Sequence, residues 1–344
     1  MNPRFVAWAG ALAFCVVVAA PAPRAQTRSS TPRASSAPRP YTPPRTPDGQ
    51  PDLQGFWTNS TYTTLERPNN VTNEFYTPAE LEVAIKKAAD RETEQTTPGT
   101  TADVHYDFSQ FGLDRSQSTM TKNLRTSMIV NPENGKLPPL SAEGKKRAAE
   151  SAEVAKRVGR WDSAESNQLD DRCLIMGGAG PPMLNTAYNA NYQIVQAPGT
   201  VMILTEMIHD VRIITLDGRP APPANVRQWM GVSRGRWDGN TLVVETTNFN
   251  GKNPLEGSSD QMKVTERFTR VGPEEIKYTF TVDDPATWTR SWTAELPMRT
   301  TQGPLFEHAC HEGNYGLYNT LVGARLAEKK AAEAAARGDK KEAK

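Results

Sequence analysis

Along the second half of the chain, short runs of alternating apolar and polar residues are separated by turn signals. Runs 192–197 and 200–207 flank Pro198-Gly199, and run 211–216 ends at Asp217-Gly218. Runs 232–237 and 241–248 flank Asp238-Gly239-Asn240, a strong hairpin signal. Runs 262–270 and 275–282 flank Gly272-Pro273, and 290–298 follows Asp283-Asp284-Pro285. About eight strands with little helix between them predict a mainly β fold, an antiparallel meander closed into a barrel or folded as a sandwich, and of these we take the barrel-like core. The period of two is clearest in two runs. Met262, Val264, Glu266 and Phe268 share one face, and Ile276, Tyr278, Phe280 and Val282 share another, so each strand has a dry and a wet side.

Before this core the pattern is weaker. Thr77-Pro78, Glu80, Glu82, Lys86 and Lys87 predict a helix over 78–89, and Ser141 opens a second, to about 158. Both fall in a helical wrap at about 75–160, outside a β core at about 190–310. The segment 323–344 is rich in Ala, Glu and Lys and reads as a charged helix or frayed tail.

The N-terminus carries an address. Arg4 precedes an uncharged apolar run over 5–20, and Ala20, Ala22 and Ala25 follow, so 1–25 reads as a cleaved Sec signal. The run is shorter than the ~20 residues of a spanning helix, so no transmembrane segment is expected after processing. Cys15 lies inside that run and reads as a small hydrophobe of the signal. Residues 26–50 are Pro, Ser, Thr and Arg, the composition of an extended linker. Its Arg28, Arg33, Arg39 and Arg45 offer weak contact with a negative cell-envelope surface. One β-rich domain is then expected over 51–322, in a secreted or periplasmic protein.

Composition narrows the classes. The 344 residues carry 40 Lys+Arg against 39 Asp+Glu, a formal charge of +1, which gives no electrostatic reason to bind nucleic acid. Three cysteines are too few for a disulfide scaffold or a four-cysteine zinc site. With the signal removed, Cys173 and Cys310 remain, and export favours a bridge between them. Chain entropy credits so long a loop with roughly 5 kcal/mol.

Several residues could carry chemistry. Glu266 sits on a dry face, and Glu206 is read on one with Met202 and Leu204. A buried carboxylate must be paired, hydrogen-bonded or protonated. With His209, either acid could act as general acid or base. Equally, either could form a structural ion pair with Arg212 or Arg234. The run Gln228-Trp229-Met230-Gly231-Val232-Ser233-Arg234-Gly235-Arg236-Trp237 suits stacking and anion capture, or simply a strand whose Trp residues fill the core. Arg212, Trp229, Arg234 and Trp237 are thus the candidate ligand contacts. Glu307-His308-Ala309-Cys310-His311-Glu312 has metal-ligand types but no metal-site spacing, and a bridge would consume Cys310, so no metal is expected. The run Gly177-Gly178-Ala179-Gly180-Pro181-Pro182 lacks the Gly-Lys-Ser/Thr of a phosphate loop and reads as a flexible loop. No cofactor is indicated.

Two resemblances add to this. Gly55-Phe56-Trp57 resembles the G-x-W entry of lipocalins, which implies a Trp closing one barrel end beneath an Arg. Pro51 to Asn59, Gly231 to Asn250, Thr265-Glu266-Arg267-Phe268 and Cys310-His311-Glu312-Gly313-Asn314-Tyr315 resemble a family of exported bacterial proteins of unknown function. That resemblance implies export and a shared fold, and no catalytic residue. Three roles follow. The first is a barrel binding a small apolar or amphipathic molecule. The second is a cofactor-independent lyase, isomerase or hydrolase using an inward Glu/His pair. The third is a structural cell-envelope protein.

Overall fold

The computed structural model describes residues 41–92, 123–185, 189–220, 222–252, 255 and 257–337. Residues 1–25, read as an export signal, and the linker arginines Arg28, Arg33 and Arg39 lie outside them. The elements are β1 (Gly55–Thr58), α1 (Pro78–Glu92), β2 (Ile129–Asn131), α2 (Ala142–Arg157), β3 (Asn191–Ala197), β4 (Thr200–Thr205), β5 (Val211–Thr215), β6 (Val232–Asp238), β7 (Thr241–Thr247), β8 (Lys263–Gly272), β9 (Glu275–Asp283), β10 (Trp292–Thr300) and α3 (Tyr315–Arg337).

The strands form one sheet in the order β1-β3-β4-β5-β6-β7-β8-β9-β10-β2, and β1 also pairs with β10. That pairing closes nine strands into a barrel and leaves β2 as a flap on β10. Closure rests on a few residues: Trp57 and Thr58 lie opposite Thr300 and Arg299 on one side and Tyr192 and Asn191 on the other.

The predicted alternation is the observed pleat. Val264, Glu266 and Phe268 of β8, Ile276, Tyr278, Phe280 and Val282 of β9, and Trp292, Ala294, Leu296 and Met298 of β10 are fully buried and point inward. Aromatic edges stack along this wall, with Phe280 and Trp292 5.6 Å apart and Trp288 and Trp292 5.7 Å apart.

One step departs from an antiparallel meander. β5 and β6 run parallel and meet only at Thr215 and Arg234. Parallel neighbours need a crossover, and here residues 216–231 return the chain to the other end of the barrel. Pro220, Pro222 and Pro223 in that stretch lack the N–H groups that a hairpin ladder needs.

The barrel has two unlike ends. At one, the β3–β4, β6–β7 and β8–β9 turns are tight, and Trp57 sits beneath Arg270. The guanidinium lies 5.5 Å from the ring centroid, while the indole N–H donates to the Leu53 carbonyl at 2.9 Å. Gly55 and Trp57 therefore belong to the same ring as the main strands. Residues 41–50 dock near this end instead of trailing as linker: Arg45 donates to Asn240 Oδ1 at 2.8 Å, and Thr46 is buried.

The helices lie outside the barrel. Thr77 and Glu80 cap α1 reciprocally, and Ser141 Oγ accepts the Gly144 N–H at the start of α2. α2 is clipped to the β9–β10 connection by Arg147, which donates to Ala286 O and Thr287 Oγ1. Gly144 is required there, because a Cβ would stand 2.4 Å from the Thr287 carbonyl oxygen. α3 begins earlier than the composition of the tail predicts. Among the described residues no helix is long and apolar enough to cross a membrane.

Trp57→Ala removes the ring shared by β1, Leu53 and Arg270. We expect a loss of about 3–5 kcal/mol in denaturant unfolding. A loss below about 1 kcal/mol would mean that closure does not depend on this ring.

Candidate functional site

The other end of the barrel carries the long connections. The turn after β4, the loop after β7, the β9–β10 connection and the segment entering β3 all gather there. The entering segment contains the glycine-proline run, which is not a flexible surface loop: Ala179, Gly180, Pro181, Pro182 and Met183 are buried. It seats in the barrel mouth as a plug. Met183 donates its N–H to the Tyr278 hydroxyl oxygen at 2.9 Å, and its carbonyl accepts from Asn59 Nδ2 at 3.2 Å. Gly180 packs over Arg212, so that a Cβ would lie 3.6 Å from Nη1. At the head of the plug, Cys173 is disulfide-bonded to Cys310, with Cα atoms 5.7 Å apart. The bridge takes Cys310 out of any ligand set.

Beneath the plug is a polar cluster in an apolar lumen. Arg212 enters from β5 and Glu266 from β8, with side chains 2% and 0% exposed. Arg212 Nη1 donates to Glu266 Oε1 at 3.0 Å, and Nη2 bonds Oε2, a bidentate fork. Nη2 also reaches Ser233 Oγ at 3.4 Å, and Ser233 shares a 2.9 Å hydrogen bond with Thr246. The Tyr278 hydroxyl donates to Glu266 Oε1 at 2.7 Å. Tyr192 completes the group, its hydroxyl 3.5 Å from Asn59 Nδ2.

Burial sets the electrostatics. Desolvation, reinforced by the charge of Glu266, pushes the Tyr278 phenol well above its ordinary value, and desolvation pushes Tyr192 up likewise. Both stay neutral. Burial alone would lower Arg212, but the charge and hydrogen bonds of Glu266 outweigh it and leave the guanidinium raised. The cluster is one cation, one anion and two neutral phenols, with no net charge.

The other candidates sit elsewhere. Met202 and Leu204 do not form the dry face of β4, whose inward residues are Val201, Ile203 and Thr205. The strand ends at Thr205, and Glu206 has helical backbone. It is buried on a different polar set, accepting from Asn191 Nδ2 at 2.7 Å. His209 is on the rim, its Nδ1 3.0 Å from the His308 carbonyl. Ile208 and His209 hold φ of 57° and 45°, a left-handed turn that a β-branched residue adopts only when its surroundings impose it. Arg234 alternates with inward Ser233 and so lies outside the lumen, its Nη1 bonding the Ser233 carbonyl. Trp237 is inward and packs on the core, and Trp229 is half-buried before β6. The structure thus gathers Arg212 and Glu266, and leaves His209 and Arg234 apart from them.

Sequence reasoning passed over Tyr192, Tyr278, Asn59, Thr205 and Met183. The tyrosines carried a signal, since a phenol on a dry face needs a hydrogen-bond partner. Asn59 and Met183 carried none, for their roles come from tertiary placement. No family model and no curated protein matches this chain.

Two outcomes are expected. Glu266→Gln strands a buried guanidinium and should cost about 3–5 kcal/mol, whereas Arg212→Met with Glu266→Leu should cost less than either single change. Equal additive losses in denaturant melts would mean that the two side chains act independently. For pH, the stability that neutral Tyr192 and Tyr278 contribute is complete below the unfolded value of 10.0 and is lost as pH rises above it. The melting temperature should fall above about pH 10, and more gently in Tyr192→Phe, as followed by calorimetry.

Proposed function

We propose that this protein is an exported binding protein that holds a small apolar or amphipathic molecule in its barrel lumen, beneath a plug that withdraws to admit it. One observation supports this above others: a fully buried Arg–Glu pair with two phenols lies in an otherwise apolar lumen directly under a glycine-proline plug. Such a pair is weak support for stability, since apolar residues of similar volume hold a core as well or better. A barrel of this size is either filled by side chains or encloses one small ligand. Here the plug occupies the mouth, leaving beside Ile175, Gly180, Pro181 and Leu255 a void of about 10 Å³, room for one water. Ligand and plug therefore compete for the mouth. Export rests on the signal pattern over 1–25 and on the disulfide, a bond of oxidising compartments.

The cofactor-independent enzyme is less well supported. Both Glu266 oxygens are engaged, and His209 is on the rim with its Nδ1 at a carbonyl. Of the linker arginines that the envelope role draws on, Arg28, Arg33 and Arg39 lie outside the described residues, and Arg45 is bonded to Asn240 Oδ1.

Native mass spectrometry of mature protein secreted by a bacterial host, beside a denatured spectrum, tests the reading. We expect an organic mass that leaves on denaturation. A bare protein mass, combined with no binding of the neutral dye N-phenyl-1-naphthylamine, would sink it. A second test addresses the plug. Cys173→Ser with Cys310→Ser frees the head of the plug and should speed dye association about tenfold or more, measured by stopped flow. An unchanged rate would mean that the molecule enters elsewhere.

A further inference from the structure

We propose, resting on the binding role above, that the lumen recognises the uncharged hydrogen-bonding head of an amphipathic molecule, an alcohol or carboxamide on a hydrocarbon body. A buried arginine invites the opposite expectation, capture of an anion. The wiring of the lumen argues against that. Glu266 takes both terminal nitrogens of Arg212, so the positive charge is already answered. A carboxylate or an ammonium entering beside the pair would bring a net charge into a low-dielectric interior with nothing to balance it.

Three buried atoms around Tyr192 are left without a partner: Asn59 Oδ1, Thr205 Oγ1 and Arg212 Nε. Their residues are 0%, 2% and 3% exposed. The three converge. Asn59 reaches the Tyr192 hydroxyl through its amide nitrogen. Thr205 lies directly opposite Tyr192 across β3 and β4. Arg212 lies opposite Ile203, the next inward residue of β4, and its charge acts on the Tyr192 phenol. Unpaired polar atoms at such depth are uncommon, and a missing partner is the usual explanation.

The chemistry of that partner follows from the inventory. Arg212 Nε–H can only donate, Asn59 Oδ1 can only accept, and the Thr205 hydroxyl can do either. A hydroxyl or a primary carboxamide both accepts and donates, so it matches a set of one donor, one acceptor and one hydroxyl and leaves the charge balance unchanged. Inward Ile194, Val201, Ile203 and Ile214 would face its hydrocarbon body.

The test displaces N-phenyl-1-naphthylamine from the mature protein near neutral pH with 1-octanol, octanamide, octanoate and octylammonium. These share a chain length and differ in the head. We expect octanol and octanamide to compete at least about tenfold more tightly than either ion. Octanoate competing as well as or better than octanamide would overturn the assignment. Thr205→Val then removes one orphan at constant shape. It should leave the melting temperature near wild type and weaken octanamide about five- to tenfold. An unchanged octanamide affinity in this variant would also overturn it, leaving the orphans to buried water. No dye binding at all would instead count against the binding role itself, so the two failures are separable.

Discussion

Everything in this fold depends on β1 holding two neighbours at once. Without its few residues between β3 and β10, the sheet would be open and present two long unpaired edges. With them the inner faces enclose a lumen, and an inward position becomes a position out of water. The burial of Glu266, the elevation of the two phenols and the neutrality of the polar cluster are all consequences of closure. Trp57 and Arg270 secure that closure at one end, and the plug occupies the other.

Within the ring, the Arg212–Glu266 pair is a constraint more than a support. Each side chain can be buried only because the other is there, and Tyr278 ties the pair to the plug through Met183. The plug and the wall are thus joined by a continuous path of hydrogen bonds.

Much of the wall was legible in the sequence, and little of the mouth was. Alternation over 262–268 and 276–282 gave the inward face, and with it Glu266, because a half-buried strand has to repeat every two residues. Asp238-Gly239-Asn240 located a turn for the same local reason. Glu206 was misplaced because apolar Met207 and Ile208 prolong the pattern beyond Thr205. The chain in fact turns there through left-handed backbone at Ile208 and His209, a conformation that no local preference announces. The plug shows the same limit. Gly177 to Pro182 has the composition of a surface loop, and only packing against Arg212 and Tyr278 makes it interior. The parallel step between β5 and β6 was hidden too, since a proline-rich connection reads alike whether the chain returns or reverses. The Arg212–Glu266 partnership stood among the alternatives, but selecting it required knowing which strands face each other.

The disulfide has a consequence for the order of events in assembly. Cys173 and Cys310 bracket β3 to β10, so eight of the nine ring strands lie inside one covalent circle. β1 lies outside it. A chain made from its N-terminus presents β1 first, yet Trp57 has no Thr300 to face until almost the whole sequence has followed. The earliest ring strand therefore completes its pairing only when the last one, β10, is present.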